Sequence, residues 1–480
     1  MLRRLERLLP ASALLTDPVQ RSTYACDGLA YYRATPALVV LARDAADIRA
    51  AVAACAAEQV PFVARGSGTG LSGGALPHAE GVLIVMSQMR EIRELAPQDQ
   101  RAVVEPGVLN LQLTKAAQPH GYYFAPDPSS QQICSIGGNV AENSGGAHCL
   151  KYGFTTNHVL SLEVIMPDGE PVQLGTRAPD APGYDLVGAF VGSEGTLGVT
   201  TSATVRLVRS PEDVRTLLAG FASIDDAGSA TSAIIGAGIV PAAVEMMDAL
   251  SIEAAEAAVQ CGYPEGAGAV LVLELDGPAD EVEHEFRAVE ALCRGAGAFE
   301  LRVATDDTQR ALIWKGRKSA FAAVGRISPD YIVQDGVIPR TALPEVLREM
   351  ARLSAASGVR VANVFHAGDG NLHPLVLFDG ADPGQAERAE EVSGAILDLC
   401  IAHGGSITGE HGVGADKAKH MPRMFTEDDL DTMQMVRCAF DPQSVSNPGK
   451  VFPTPRLCGE VPGKRQGPHP LVEAGLAEAF

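Results

Sequence analysis

Between the apolar runs Val60–Ala64 and Gly81–Met86 lies a glycine cluster, Gly66, Gly68, Gly70, Gly73 and Gly74, and the residues directly after it limit the folds open to the chain. Gly68-Thr69-Gly70-Leu71-Ser72-Gly73 fits the spacing G-x-G-x-x-G. In a Rossmann fold those glycines open directly into a helix whose N-terminus faces a pyrophosphate. Here Ala75-Leu76-Pro77 and then a strand come next, so that fold does not apply. Two readings remain. The cluster is a flexible hairpin loop, or it is a nest whose successive N–H groups cradle a diphosphate, with Arg65 adding positive charge or anchoring the loop. The surrounding sequence favours the nest. A second glycine-dense stretch runs through Pro126-Asp127-Pro128-Ser129-Ser130, Ser135-Ile136-Gly137-Gly138-Asn139 and Asn143-Ser144-Gly145-Gly146. A third is Gly192-Ser193-Glu194-Gly195-Thr196-Leu197-Gly198. Three such loops within about 210 residues point to one long ligand approached by backbone at several places.

At 480 residues the chain exceeds one ordinary core and should divide into two or three domains. Ala37–Ala42 reads as a strand, and Asp44–Gln59 as an alanine-rich helix capped by Asp44. Val159–Met166 and Pro171–Leu174 flank Pro167-Asp168-Gly169, which predicts a hairpin. From about 211 to 405, strands at Val214–Ala219, Ala269–Leu275, Tyr331–Ile338 and Val359–His366 alternate with helical segments such as Pro278–Arg294 and Leu343–Ala356, which predicts an α+β domain. After Gly412 the pattern is helical, then turn-rich over Asp441–Lys450. Gly459–His469 holds too many Gly and Pro residues for regular structure. The predicted division is a segment 1–32, a ligand domain 33–210, an α+β domain 211–412, a helical segment 413–455 and a tail 456–480.

Charge narrows the partners. Lys and Arg number 38 against 59 Asp and Glu, a net −21, so the basic stripe that nucleic acid needs is missing. An anionic substrate must be met by a local positive site. Nine cysteines are dispersed without a C-x-x-C pair, which argues against iron–sulfur and structural zinc sites and for reduced thiols in a cytoplasmic setting. No window nears 18 uninterrupted apolar residues, so no transmembrane segment is expected, and Met1–Pro10 has no signal-peptide core.

The second half carries its own chemical signal. In His366-Ala367-Gly368-Asp369-Gly370-Asn371-Leu372-His373, two apolar strands flank a tight turn, an arrangement that could bring both imidazoles to one end of a hairpin. Gly409-Glu410-His411-Gly412 adds a carboxylate and a third imidazole. Two His and one carboxylate suit an open divalent-metal site. A lone histidine is usually structural; three with a glutamate in glycine-framed segments favour function.

With these strings in hand the chain resembles two known groups. Pro61–Thr69 (PFVARGSGT), PDPSS, SIGGN-x-A-x-N-x-GG and GSEGTLG, in that order, resemble the FAD-binding domain of the vanillyl-alcohol-oxidase type. That likeness implies an α+β fold in which FAD lies between two α+β subdomains, followed by an α+β substrate domain with an antiparallel sheet. It puts the diphosphate on Arg65, Gly66, Ser67, Gly68, Thr69 and Gly70. Asp127, Ser130, Gly137, Gly138, Asn143, Gly146, Glu194, Gly195, Gly198, Val199 and Asn447 would meet the rest of the cofactor. Covalent members carry a histidine in the first loop; Thr69 stands here, so dissociable FAD is expected. Trp314–Arg317 (WKGR), Val324–Asp330, Asp335–Arg340, Val361–Pro374, Gly404–Gly412 and Asn447–Lys450 resemble the flavin subunits of bacterial glycolate oxidases, whose relatives are D-lactate and D-2-hydroxyglutarate dehydrogenases.

The second likeness implies oxidation of a short D-2-hydroxy acid. It makes His366, His373 and Glu410 the ligands of zinc, manganese or iron, and His411 the base beside the flavin. Arg317 would clamp the substrate carboxylate, with Trp314 and Asn371 as further substrate contacts. Phe321, Val333 and Leu375 fall where diacid-specific relatives use polar groups, which favours a short substrate. The likeness further implies a second FAD-type subunit and an iron–sulfur subunit as partners, and a cytoplasmic enzyme held peripherally at the inner membrane face through them. A D-2-hydroxyglutarate dehydrogenase, an ether-lipid-type synthase and a non-catalytic flavin subunit are the competing readings.

Overall fold

Parallel strands buried on both faces read as nearly unbroken Val, Leu and Ile, and the first sheet is built of such strands. In the computed structural model, which describes residues 1–29, 31–178 and 181–453, Leu38–Leu41, Val82–Val85 and Phe62–Arg65 lie side by side and parallel. The helix Ala45–Glu58 crosses over between the outer two; Asp44 caps it by accepting from the Asp47 N–H, and Gln59 ends it at φ 49°. The helix Leu2–Leu8 packs on that crossover helix, and Leu14–Leu15 joins the sheet edge antiparallel.

The second sheet is antiparallel, in the order Ile92–Ala96, Arg101–Val104, Val199–Arg206, Val159–Ile165, Pro171–Gly175. The predicted hairpin closes as expected, with Gly169 at φ +93° in its turn. The short helix Ile136–Glu142 packs against Val199–Arg206 and starts at Ser135, whose Oγ accepts from the Gly138 N–H.

A nine-stranded sheet among the described residues dominates the second half. Asp213–Phe221 pairs with Ala269–Gly277 along its whole length, and Ala243–Asp248 and Val361–His366 are the next strands across. The predicted helices form at Ala279–Gly295 and Leu343–Ser357. The expected single strand Tyr331–Ile338 is instead two, Asp330–Val333 and Gly336–Val337. The break has a cause: Asp335, fully buried, leaves the strand so that its carboxylate can collect N–H donors from the 408–411 loop.

Beyond Gly412 come Met421–Met424 and Glu427–Phe440, after which the chain returns to the first sheet. Phe62 N–H donates to Val445 O, and Asn447 N–H to Phe62 O, each at 2.8 Å. The Gly459–His469 stretch lies outside the described residues. Among the described residues seven cysteines are free thiols, but half-buried Cys438 is disulfide-bonded, which departs from the expected fully reduced set. Among the described residues no helix is long and apolar enough to cross a membrane.

Candidate active site

The three glycine-dense loops converge on one cavity of about 1200 Å³, larger than the roughly 300–1,000 Å³ typical of small-ligand pockets. Gly66–Gly70 line it from the first loop; Ser130, Gly137 and Gly138 from the second; Glu194, Gly195, Gly198 and Val199 from the third. Side chains are excluded where loops cross. A Cβ at Gly66 would come within 2.1 Å of Ser135 Oγ, and Gly68 stands at φ +69° with the Arg65 guanidinium filling the space beside it. Arg65 therefore anchors this loop: its Nη1 donates to Cys26 O at 2.6 Å, and it sits over the Tyr24 ring.

Four residues expected at the cofactor support this wall from behind. Asp127 accepts from His148, and Gly146 packs on Asp127. Asn143, at φ 51°, ends the helix Ile136–Glu142 and accepts from Thr156 N–H through Oδ1. Asn447 staples two loops together, its Nδ2 donating to Gly74 O at 2.9 Å and Glu194 O at 2.6 Å. Sequence reading passed over Glu142, which lines the cavity with Oε2 unpaired; burial and neighbouring Glu194 push its carboxyl up. Glu194 accepts from Val413 and Gly414 N–H, both at 2.6 Å, yet burial still carries it up to about 7.

At one end of the cavity, where Glu410 and His411 form part of the wall, a histidine cluster is packed. The turn at Gly368–Gly370 lets His366 and Asn371 pair in register, and His373 then comes to 4.9 Å from His366, ring to ring. Glu410 Oε1 lies 3.4 Å from His366 Nε2, 3.3 Å from His373 Nε2 and 3.8 Å from His411 Nε2. His411 stacks on His373 at 4.9 Å. Burial would raise the Glu410 carboxyl, but the three imidazoles hold it down at about 2. Burial lowers His411 to about 4, against the pull of Asp335.

Ligand atoms of His366, His373 and Glu410 all lie within 4.8 Å of one another, as do those of Asp335, His373 and His411. Glu410 Oε2 and both His373 nitrogens are buried without an aligned hydrogen bond. Unpaired buried donors and acceptors are costly, so this donor set fits a divalent cation well.

Two carboxylates that sequence reading missed orient the cluster. Asp335 accepts from the Thr408 hydroxyl and the Gly409, Glu410 and His411 N–H groups, and pairs with buried Lys417 at 3.3 Å. It sits in the Asp335–Arg340 string, but only the fold shows what it holds. Glu245 takes His366 Nδ1 at 2.6 Å and Arg317 Nη2 at 2.5 Å. Such outer partners fix the tautomer and orientation of a metal-binding imidazole.

The substrate residues are placed unevenly. Arg317 is buried, lies over the Phe321 ring, and faces a small void of about 10 Å³ with Asp127, Ser129, Glu245, Lys318 and His366. That is room for about one water. Ser129 and Lys318 line this void and the large cavity alike. Asn371 is buried beside His366, away from the cavity wall. Trp314 lines the same small void as Arg317 but not the large cavity, and donates its indole N–H to Glu274 at 2.7 Å.

Residues 36–175 match the FAD binding domain, and residues 210–451 match the C-terminal domain of FAD linked oxidases. The glycolate oxidase subunit GlcD of Escherichia coli strain K12 is 51% identical over 460 residues, covering 96% of this chain and 92% of its own. The chain belongs to the FAD-linked oxidase family. A mitochondrial D-lactate dehydrogenase (cytochrome) of Arabidopsis thaliana is 30% identical, covering 93% of this chain and 78% of its own. The solved p-cresol methylhydroxylase with substrate bound shares the fold, with a TM-score of 0.79 at 16% identity over 94% of this chain and 95% of that one. As an FAD-linked oxidase the chain is an oxidoreductase with FAD as cofactor.

Proposed function

We propose that this chain oxidises a short D-2-hydroxy acid, glycolate or D-lactate, to the 2-oxo acid. FAD is held non-covalently in the glycine-walled cavity, and zinc, manganese or iron is held by His366, His373 and Glu410. One observation carries the reading: three imidazoles and a carboxylate meet at the wall of the cavity that the three glycine-dense loops enclose. The names of the bacterial and plant relatives support the substrate class.

FAD, when bound, supplies the acceptor for the electron pair leaving the substrate carbon. A cation on this donor set supplies charge that makes the neighbouring hydroxyl easier to deprotonate. His411, with Nδ1 unpaired and its ring in the cavity wall, takes that proton. Arg317, its Nη2 paired with Glu245 and its Nε in no aligned hydrogen bond, offers the guanidinium charge and Nε to the substrate carboxylate. Phe321 and Val333 line the cavity with apolar surface and Leu375 is buried nearby in the core, so a second carboxylate would be left unpaired.

We assign the flavin to 33–210, the substrate cap to 211–412, and completion of the cofactor site to 413–455. The E. coli relative is named as a subunit, which supports an acceptor on partner chains: a second FAD-type subunit and an iron–sulfur subunit at the inner membrane face. Anaerobic mixing of the FAD-loaded chain with glycolate, D-lactate and D-2-hydroxyglutarate in turn tests the reading. Bleaching of the flavin absorbance by either of the first two is expected. Bleaching by the diacid alone would move the assignment to that substrate, and no bleaching by any would remove it.

A further inference from the structure

A dense, partly buried polar assembly lies where the two halves of the chain meet, and two of its members, Asp127 and Trp314, also line the small void beside Arg317. Asp127 and His148 come from the flavin half; Glu274, Thr216, Arg310 and Trp314 come from the other. His148 Nδ1 donates to Asp127 Oδ2 at 2.8 Å and Nε2 to Glu274 Oε1 at 3.2 Å. Burial alone would lower this imidazole, but the two carboxylates carry it up to about 10, so it is a cation at neutral pH. Glu274 also accepts from Thr216 at 2.7 Å, from Trp314 at 2.7 Å, and from Arg310 at 2.9 and 2.8 Å. Two residues along the same strand face, Asp276 takes Lys151 at 2.5 Å and Tyr152 at 2.6 Å.

This assembly bears on the substrate residues through one helix. Arg310, Trp314, Arg317 and Phe321 recur at steps of four, three and four, so they share a face of the helix Asp307–Val324. Arg310 and Trp314 tie that face to Glu274 within the second half. The bond that continues into the flavin half runs through His148 to Asp127, two residues before Ser129, which lines both cavities.

We propose that His148 is a positioning residue: it locks the face of helix Asp307–Val324 that carries Arg317 against the flavin half, fixing the guanidinium relative to the cofactor cavity. The inference rests on the proposed role of Arg317 as the carboxylate anchor. Removing the imidazole leaves buried Glu274 and half-buried Asp127 facing each other without their shared cation, which opens the joint.

The chain holds a single tryptophan, Trp314, whose ring lies 5.7 Å from that of His148, so its emission reports on this joint alone. In the FAD-loaded full chain, His148→Gln should change Trp314 emission and speed amide exchange across 307–324 about tenfold. It should raise KM for glycolate by about ten- to a hundredfold with kcat within about threefold, and leave FAD content unchanged. Asp127→Asn should move emission, exchange and KM the same way, and on these three readouts the double variant should be no worse than His148→Gln, because the two act as one unit. Unchanged exchange across 307–324, an unchanged KM, or additive effects would each overturn the proposal. Should His148→Gln not fold, Asp127→Asn carries the same comparison. Were no hydroxy acid to reduce the wild-type flavin, the functional reading would fall while emission and exchange still decide the joint.

Discussion

The cofactor cavity and the histidine cluster are neighbours built by opposite means. The cavity is walled by backbone: glycines from three loops approach closely, and polar side chains such as Arg65 and Asn447 work from behind to hold those loops. The cluster is walled by charge: Glu245, Asp335, Glu410 and Lys417 are packed round three imidazoles. The first is tolerant of electrostatics and intolerant of volume; the second is the reverse. Substitutions should therefore separate two functions, cofactor retention and substrate activation.

The largest separation is expected from His373→Ala. Loss of an imidazole proposed as a ligand, which also stacks on His411, should remove bound cation and slow flavin reduction on the order of a thousandfold, with FAD content preserved. Metal analysis beside the flavin absorbance checks this, and joint loss of both would break the contrast. A smaller effect in the opposite sense is expected from Gly68→Ala. Its Cβ would meet the Arg65 guanidinium at a φ of +69°, which costs about 1–2 kcal/mol of backbone energy before any clash. FAD affinity should fall about tenfold or more by titration of the stripped protein, while cation content stays constant.

The smallest effect concerns pH. His148 faces Asp127 from the flavin half and Glu274 from the other, with cationic Arg310 beyond Glu274 and the neutral Trp314 alongside. Its folded value, about 10, exceeds the ordinary 6.5, so its contribution is complete below pH 6.5 and is lost as pH rises through about 10. The melting temperature of the wild type should decline over that window by more than that of His148→Gln. Parallel melting curves would show that the imidazole carries no linked charge.

Legibility in the sequence divided along the same line. The glycine loops, the His366–His373 hairpin and the 409–412 string were readable because each is local: turn residues at short spacing determine where their neighbours point. The strands read from apolar runs formed, save where Asp335 broke one, but Ile92–Ala96, Arg101–Val104, Val199–Arg206 and Ala243–Asp248 were not read. What escaped was long-range. Glu245 sits in Ala243–Asp248, where nothing marks it as the partner of a histidine 121 residues later. Trp314 and Arg317 share a sequence string, and only the packing shows that one faces Glu274 and the other Glu245. The four-three-four spacing from Arg310 to Phe321 was the available signal that this face acts as a unit.

The staple formed by Asn447 carries a consequence for biogenesis. The loop that closes round the first glycine cluster leaves the ribosome some 370 residues after the cluster itself, and the two meet only when Phe62 has found its partners at 445 and 447. Loading of the nucleotide proposed for this cavity would thus be deferred until residues 445–447 have emerged and folded back, and a nascent polypeptide halted before that point would expose an unfinished cradle with one side open to solvent.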